Sequence, residues 1–570
     1  MSASKKHNKT EVVMTERQRQ EAKEAKNIKR MTFVFVTAII LCVAIFVVSV
    51  AAAPVQALVN RSTKALTVGE HTLSAVELNY FYIDAINSYH NTYSSIISYM
   101  MDTSKPLNEL IADSTTGQTY ADYFVDMAVE NAKSTYALYD EAMKQGFKLP
   151  EDEQAAVDSM ISDLDTNIKY YAEIYASMGY SYPYSNASDY LKGMYGNGAT
   201  KNSYADYYEI CYIADAYYAA YADSLEYDDA ALREYEKDKL NNYTSFSYNY
   251  YLLSASSFYE GGTKGEDGKI TYTDEEKQAG IDTAKMLADK IAAGKCEDIE
   301  AFDEVINVIL NDYNNSKTPA ASADDNKDDN KTDSKKASST KVEETLGSKV
   351  NSLFIEWLAE EGRQTGDIAV FENSTGEGDK KVIGGYYVVF FSDRNDNKFQ
   401  LVNVRHILVA FEGGKYDSTT QTTIYSDEEK AAAKKAAEEL LAQWQAGAKT
   451  EESFGELANK ESDDLGGEVT NGGLYEDIFP GQMVTNFNDW CFEEGRKVGD
   501  TGIVETSYGY HVMYFSDFSE TNYRDFLITN DARNDEVTAW HEALVKAISA
   551  TIITDKRVDK DLSMSEVIGH

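Results

Sequence analysis

The chain repeats itself, and the repeat sets what it can fold into. Phe487 to Asp500 (FNDWCFEEGRKVGD) aligns without a gap with Phe354 to Asp367 (FIEWLAEEGRQTGD), identical at eight of fourteen positions. Upstream, Ser426 to Gly447 (SDEEKAAAKKAAEELLAQWQAG) answers Thr273 to Gly294 (TDEEKQAGIDTAKMLADKIAAG). Both segments open with Ser or Thr and carry Glu three residues later, the capping-box signature of a helix start, and both stop at glycine. Ala433, Ala437, Leu440, Leu441 and Trp444 share one face of the later helix. Downstream, GYHVMYFSD (Gly509 to Asp517) answers GYYVVFFSD (Gly385 to Asp393). The chain therefore holds two copies of one domain, spanning about 244–395 and 400–518.

The copies differ in their unusual residues. His406 (in VRHILV) and His511 lie in strand-like runs of the later copy, and Tyr250 and Tyr387 answer them in the earlier one. In place of the later copy's glycine-rich loop and GQMV segment, the earlier copy carries a stretch including SKTPAASADDNKDDNKTDSKKASSTK. That stretch is poor in apolar residues, so a disordered insert is predicted over 314–345. Two histidines and a loop that occur together in one copy, and are absent together from the other, point to a site rather than to packing.

Length and charge bound the rest. At 570 residues the chain is too long for a single core. Residues 1–30 hold nine Lys/Arg against four Asp/Glu, whereas the whole chain carries −41. So acidic a body repels polyphosphate and excludes nucleic acid as a partner. From Met31 to Asn60 no residue is charged, and the run FVFVTAIILCVAIFVVSV is long enough to span a bilayer. The basic tail before it predicts a cytoplasmic N-terminus (1–30), a single-pass anchor (31–53) and an ectodomain outside the cell. A cleaved signal peptide ending near Ala51-Ala52-Ala53 is the competing reading. The four cysteines are scattered, giving neither a disulfide framework nor a metal-binding spacing. With a single anchor, they point to a Gram-positive type of cell surface.

Residues 61–240 read as mainly helical. Ser74 and Glu77 mark a helix start, and Phe124, Met127, Ala128, Ala132, Tyr136 and Tyr139 form a stripe that Gly146 ends. The tyrosine-rich stretch from Tyr195 to Leu225 is open to two readings, an ordinary helical core or an aromatic-walled crevice for unfolded polypeptide. Residues 519–570 are predicted to be mostly helix (Tyr523 to Leu562), folding back onto this region.

VRHILV, the capped helix, FGELANKESDD (Phe454 to Asp464), NGGLYEDIFPGQMVTNF (Asn471 to Phe487) and TSYGYHVMYF (Thr506 to Phe515) together resemble the parvulin-type peptidyl-prolyl cis/trans isomerases. The layout of anchor, helical region and parvulin units resembles membrane-anchored foldases of the PrsA/SurA type. The resemblance implies an α+β fold in each unit, a four-stranded antiparallel sheet with surrounding helices. It puts His406, Asp464 (with Asp463 as the neighbouring option), His511 and Thr506 at the catalytic centre. Met483, Phe487 and Leu474 would line the proline pocket, with Tyr508 where some relatives carry serine. The reaction fits these residue types. Rotation about an X-Pro bond breaks amide conjugation but no bond to carbon, so it calls for an apolar cup and a polar network. The histidines could move a proton or simply brace the site. No G-x-S-x-G elbow supports a serine hydrolase. The implied partners are unfolded, newly exported chains containing X-Pro bonds, with no cofactor and no metal. Oligomeric state is open, a homodimer included. The alternative function is a non-catalytic holdase or surface adaptor that binds through both parvulin-like units.

Overall fold

A computed structural model describes residues 54–317, 336–417, 419–464 and 471–568. The basic tail and the apolar segment 31–53 lie outside the described residues. Among those described, no helix is long and apolar enough to cross a membrane. The chain divides into two compact units: one runs up to Glu226 and resumes at Arg533, and the other is Tyr227–Ala532.

The first unit is built on a three-stranded antiparallel sheet in which Lys64–Val68 lies between His71–Ser74 and Ala550–Ile552. The tail was expected to stay helical to Leu562, but its helix Tyr523–Ala547 ends earlier. The β-branched run after it pairs with Lys64–Val68, because such residues pack better on a pleated strand than in a helix. Ser74 and Glu77 form the full capping box of helix Ala75–Tyr93. Helix Tyr120–Gln145 closes at Gly146, whose φ of 71° suits a residue without Cβ. Phe124, Ala128, Ala132 and Tyr136 are buried along its length, and Met127 and Tyr139 are half-buried against the same core. In the tyrosine-rich region, Tyr195, Tyr204 and Tyr207 surround the ring of Tyr80 at 4.9, 5.5 and 5.0 Å. Tyr207 donates to Asp84 at 2.6 Å, and Tyr221 stacks on Trp540 at 3.9 Å. These rings join helices, and Tyr195 also lines a cleft with Asn60, Asn79 and Gly196.

The second unit contains two four-stranded antiparallel sheets of identical topology. In chain-edge order they run Thr340–Leu346, Ser245–Ser254, Val382–Asn395, Ile368–Thr375, and Leu474–Ile478, Gln400–Ala410, Gly509–Asn522, Thr501–Glu505. Each sheet buries one face under the duplicated capped helix, Asp274–Ala292 or Asp427–Ala446. On the later helix Ala433, Ala437 and Trp444 are buried, and Leu440 and Leu441 are half-buried. Ahead of each capped helix, a short hairpin leaves the opening strand at two glycines. The capping-box glutamate receives the second glycine's N–H at 2.9 Å in both copies (Glu276 and Gly262, Glu429 and Gly414).

The predicted insert is narrower than its composition suggested. Residues 314–317 complete helix Ile299–Lys317, and Thr340–Leu346 is an edge strand paired with Ser245–Ser254. Residues 318–335 lie outside the described residues. The strand was hidden because TKVEETL, one residue deep at the sheet edge, exposes most of its side chains and needs little apolar content. The GQMV segment is not missing from the earlier copy either. Counting back from the aligned Phe354, Val350 stands where Met483 does, buried against Phe354 and Leu358.

One buried ion pair ties the strands of this unit to its flanking helices. Arg524, 6% exposed, donates to Glu236 at 2.9 Å and to the Leu240 carbonyl at 2.9 Å. Beside it, Asn397 donates to the Tyr243 carbonyl and Ser245 hydroxyl, each at 2.9 Å. Residues 227–240, predicted to belong with the first helical region, cluster with this unit, Leu232 packing against Tyr243 and Ile528.

Candidate active site

Register brings the two histidines together. On the central pair of strands His406 stands opposite Met513, and His511 opposite Leu408, so the histidines are diagonal neighbours on one face. Their Nδ1 atoms lie 3.1 Å apart, and both side chains are nearly fully buried. On the far side of His511, Nε2 meets Thr506 Oγ1 at 2.9 Å. On the far side of His406, Nε2 lies 3.0 Å from Asp464 Oδ2, a close electrostatic contact set off the direction of a true hydrogen bond. Tyr475 donates its hydroxyl to the same carboxylate oxygen at 2.8 Å.

These contacts define one chain of protons. An ionised Asp464 favours a proton on Nε2 of His406, so Nδ1 of His406 accepts from Nδ1–H of His511. Nε2 of His511 then accepts from the Thr506 hydroxyl. The Tyr508 N–H, 3.2 Å from Thr506 Oγ1, supplies that oxygen with a donor and leaves its proton for the histidine. His511 is neutral in this chain. Burial, with His406 second, pushes His511 down to about 4, and Asp464 offsets only part of that. Burial and the bond to Asp464 push the Tyr475 hydroxyl up to about 12, so it stays a donor.

The SDD triplet reaches the site by extending the sheet. Where strand Leu474–Ile478 stops pairing, Ser462 and Asp463 take over the edge of the opening strand. Leu408 N–H donates to Ser462 Oγ at 3.0 Å, Asp463 N–H to the Leu408 carbonyl at 2.8 Å, and Ala410 N–H to Asp463 Oδ2 at 3.0 Å. Asp463 is thereby a brace, and Asp464 is the carboxylate beside the histidine. At the junction Gly473 has φ 66°, and a Cβ there would sit 2.2 Å from the His406 carbonyl, so no other residue fits.

An apolar cup lies under the pair. Phe487, 2% exposed, presents its ring edge-on to His406 at 5.5 Å and to His511 at 5.3 Å. Met483, half-buried, packs in the same cluster with Val504, Met513 and Ile478. Leu474 does not join them: it pairs with Arg405, on the opposite face from His406, and Tyr475 takes the place expected of it, 4.6 Å from the His406 ring. The cause is a bulge. The pairing steps from Val402↔Ile478 to Val404↔Tyr475, three residues against two, with Asp477 at φ 53°. Counting by twos from Ile478 leads to Leu474, and the extra residue shifts the phase to Tyr475. Tyr475 is the residue the sequence reading missed. Tyr508 is 62% exposed and touches the network only through its backbone.

The earlier copy shows the same geometry without the chemistry. Tyr250 stands opposite Val389 and Tyr387 opposite Leu252, the same diagonal. Their rings lie 5.7 Å apart and rest on Phe354 at 6.1 and 5.2 Å. Phenol rings fill the space that histidines line in the later copy. Among the described residues no group of His, Cys, Asp and Glu is placed to hold a metal ion.

The family model of the PPIC-type PPIASE domain matches residues 387–518, starting in the last long strand of the earlier copy. No curated protein matches the chain. Among solved structures, the peptidylprolyl isomerase PrsA from Bacillus anthracis is 21% identical, over 27% of this chain and 59% of that one, with a TM-score of 0.17. PrsA from Bacillus cereus is 23% identical, over 27% and 50%, also with a TM-score of 0.17. A structure from the work on PEB4 and Cj1289, described as SurA-like chaperones of Campylobacter jejuni, is 22% identical over 26% and 50%, TM-score 0.15. The chain spans between half and three-fifths of the length of these structures. Residues 387–518 place in this chain a PPIC-type peptidyl-prolyl isomerase domain, of the parvulin kind.

Proposed function

We propose that the protein is a membrane-anchored, outward-facing foldase. Its later parvulin unit catalyses X-Pro isomerisation in newly exported polypeptides, and its helical unit and earlier parvulin unit hold those clients. The observation that carries this reading is the buried chain Thr506–His511–His406–Asp464 over the cup of Phe487 and Met483.

The geometry suits rotation about an amide. The cup takes the proline ring out of water, which weakens competing solvation of the planar amide. As conjugation is lost the proline nitrogen's lone pair localises and becomes a better acceptor while the carbonyl oxygen becomes a weaker one, so fixed donors near the twisted bond favour it over the planar one. A pre-oriented histidine pair, with His511 neutral, holds those groups in place. Asp464 and Tyr475 fix the tautomer of His406, and Thr506 fixes that of His511.

A second reading, a binding protein that uses parvulin folds without catalysis, is favoured by the earlier copy, where Tyr250 and Tyr387 occupy the histidine positions. Both readings are tested by refolding a client whose slow phase is proline isomerisation, in the presence of the full chain. The foldase reading expects a faster slow phase. A slow phase unchanged while aggregation is suppressed would leave only the holdase.

A further inference from the structure

The space between the opening strand and the capped helix is plugged in the earlier copy and open in the later one. In the later copy the strand ends at Ala410 and FEGG (Phe411 to Gly414) follows at once. In the earlier copy four residues, Ala255–Phe258, stand between the strand end at Ser254 and the matching YEGG (Tyr259 to Gly262). Those four form a single 3-10 turn that sits on the capped helix. Ala255 is fully buried, and a Cβ on Gly280 would lie 3.0 Å from its carbonyl oxygen and 2.4 Å from the Tyr259 ring. Phe258 completes the plug against Tyr313, ring centroids 5.6 Å apart. Counted from the aligned capping boxes, Ala433 answers Gly280. Over Ala433 the later copy has no turn but a cleft of about 490 Å³. A space that one copy fills with four residues of its own chain has room, in the other, for part of a second chain.

The lining selects the occupant. Val409, Ala432, Ala433 and Ala436 make an apolar floor of short side chains, and Glu412, Glu429 and Asp463 supply every charge of the lining. Glu412 and Asp463 are exposed and Glu429 is half-buried, so the carboxylates are open to a ligand. Backbone N–H groups of Gly414 and Ser426 hold the Glu429 carboxyl below its usual range and keep it ionised. The neighbouring cations are engaged elsewhere: Lys430 meets Glu505 at 3.3 Å, and Lys415 lines a separate cleft with Asp417. An apolar floor under three carboxylates matches a long methylene stem that ends in a cation. We propose that this cleft is a specificity subsite of the isomerase, taking a Lys or Arg side chain of the client within three residues of the proline. The cleft adjoins the site. Asp463 in its lining directly precedes Asp464, and Ala410 lies four strand residues from His406 on the same face, about 13 Å away. Three residues of extended client cover about 10 Å, and the side chain spans the remainder. An acidic residue at the same place in the client is repelled. The inference rests on the isomerase reading of this unit.

The test follows cis–trans exchange by NMR with a catalytic amount of the full chain. The substrates are alanine peptides with one proline and one variable residue, Lys, norleucine or Glu, placed in turn at each of the three positions before and after it. At one position at least, kcat/KM for Lys should exceed that for Glu by ~10-fold or more, with norleucine, the stem without the charge, between them. Glu412→Lys should bring that ratio to one or below, and Ala432→Trp, which covers the exposed part of the floor, should bring it close to one. Glu456→Lys makes the same change in net charge at an exposed position outside the cleft and should leave the ratio as it was. Each ratio is taken within one variant, so a general loss of activity does not move it. A ratio near one at every position in the native chain, or a ratio that survives both Glu412→Lys and Ala432→Trp, would overturn the proposal. So would a ratio that falls equally in Glu456→Lys, which would trace it to the acidic field of the whole unit. Anisotropy of the same peptides labelled with fluorescein separates this inference from the reading beneath it. Acceleration of no peptide defeats the isomerase reading, and a binding preference for Lys that Glu412→Lys removes still establishes the subsite. Equal binding of the Lys and Glu peptides defeats the subsite as well.

Discussion

His406 and His511 meet through their Nδ1 atoms at 3.1 Å, one from each central strand, so that one imidazole must donate and the other accept. A proton on both Nδ1 atoms would break that bond, and burial already holds His511 near 4. The folded chain therefore resists a proton that the unfolded chain accepts at about 6.5. Stability from this group is present in full above pH 6.5 and is lost as pH falls toward 4, by up to about 3 kcal/mol. Urea unfolding of the later parvulin unit within the full chain, at pH 7 and pH 4.5, should show this loss. It should shrink in His511→Tyr, which has no titrating imidazole.

The earlier copy specifies how to silence the later one without unfolding it. Its tyrosines fit because Val342 stands where the later copy has Tyr475, counted from the aligned Phe354 and Phe487, and Val342 packs in the same cluster as Tyr250 and Tyr387. The triple change His406→Tyr, His511→Tyr and Tyr475→Val should keep the fold, seen as an unchanged far-UV spectrum and cooperative melting. Isomerisation of a proline peptide should fall by ~100-fold or more, equivalent to about 2.7 kcal/mol of transition-state binding. His406→Tyr and His511→Tyr alone should melt earlier, because Tyr475 leaves too little room for both phenols.

Leu474 and Tyr475 are neighbours with opposite fates, and kinetics should tell them apart. Tyr475→Phe removes the donor to Asp464 and should lower kcat more than it raises KM, since Asp464 then holds the His406 tautomer less firmly. Leu474→Ala, on the other face, should leave both constants within about twofold and cost only stability.

Arg524 and Glu236 form a buried pair, 6% and 5% exposed. Arg524→Met leaves Glu236 with the half-exposed Arg233 as its remaining ion-pair partner and strips the Leu240 carbonyl of its donor, and should destabilise the second unit by about 1–3 kcal/mol. Arg524→Met with Glu236→Leu should recover much of it, because replacing both partners by apolar groups of similar volume is often near neutral. Thermal unfolding of the two variants is the check.

The duplication was legible because its helix caps, glycine stops and Phe-Trp-Glu-Glu-Gly-Arg run are local signals that survive without tertiary context. His406 and His511 stood out by their joint absence from the earlier copy, whereas Asp464 and Phe487 came from the resemblance to parvulins, and the structure brings all four within contact distance. Leu474 misled because a bulge at Asp477 changes side-chain phase by one, and nothing in GGLYEDI announces a bulge. The strand Thr340–Leu346 was invisible because an edge strand needs little apolar content. The strand Ala550–Ile552 was overlooked because its partner lies nearly five hundred residues away, beyond any local pattern.

The central claim is that the later copy, and not the earlier, turns over X-Pro bonds. Exchange between the cis and trans signals of a short Ala-Ala-Pro-Phe peptide, followed by NMR with a catalytic amount of the full chain, measures it directly. Exchange should be accelerated by the native chain and by Tyr250→Phe with Tyr387→Phe, and should drop to nearly the uncatalysed rate in His406→Tyr, His511→Tyr, Tyr475→Val. Exchange no faster than without the chain, or acceleration that survives the triple change, would contradict it.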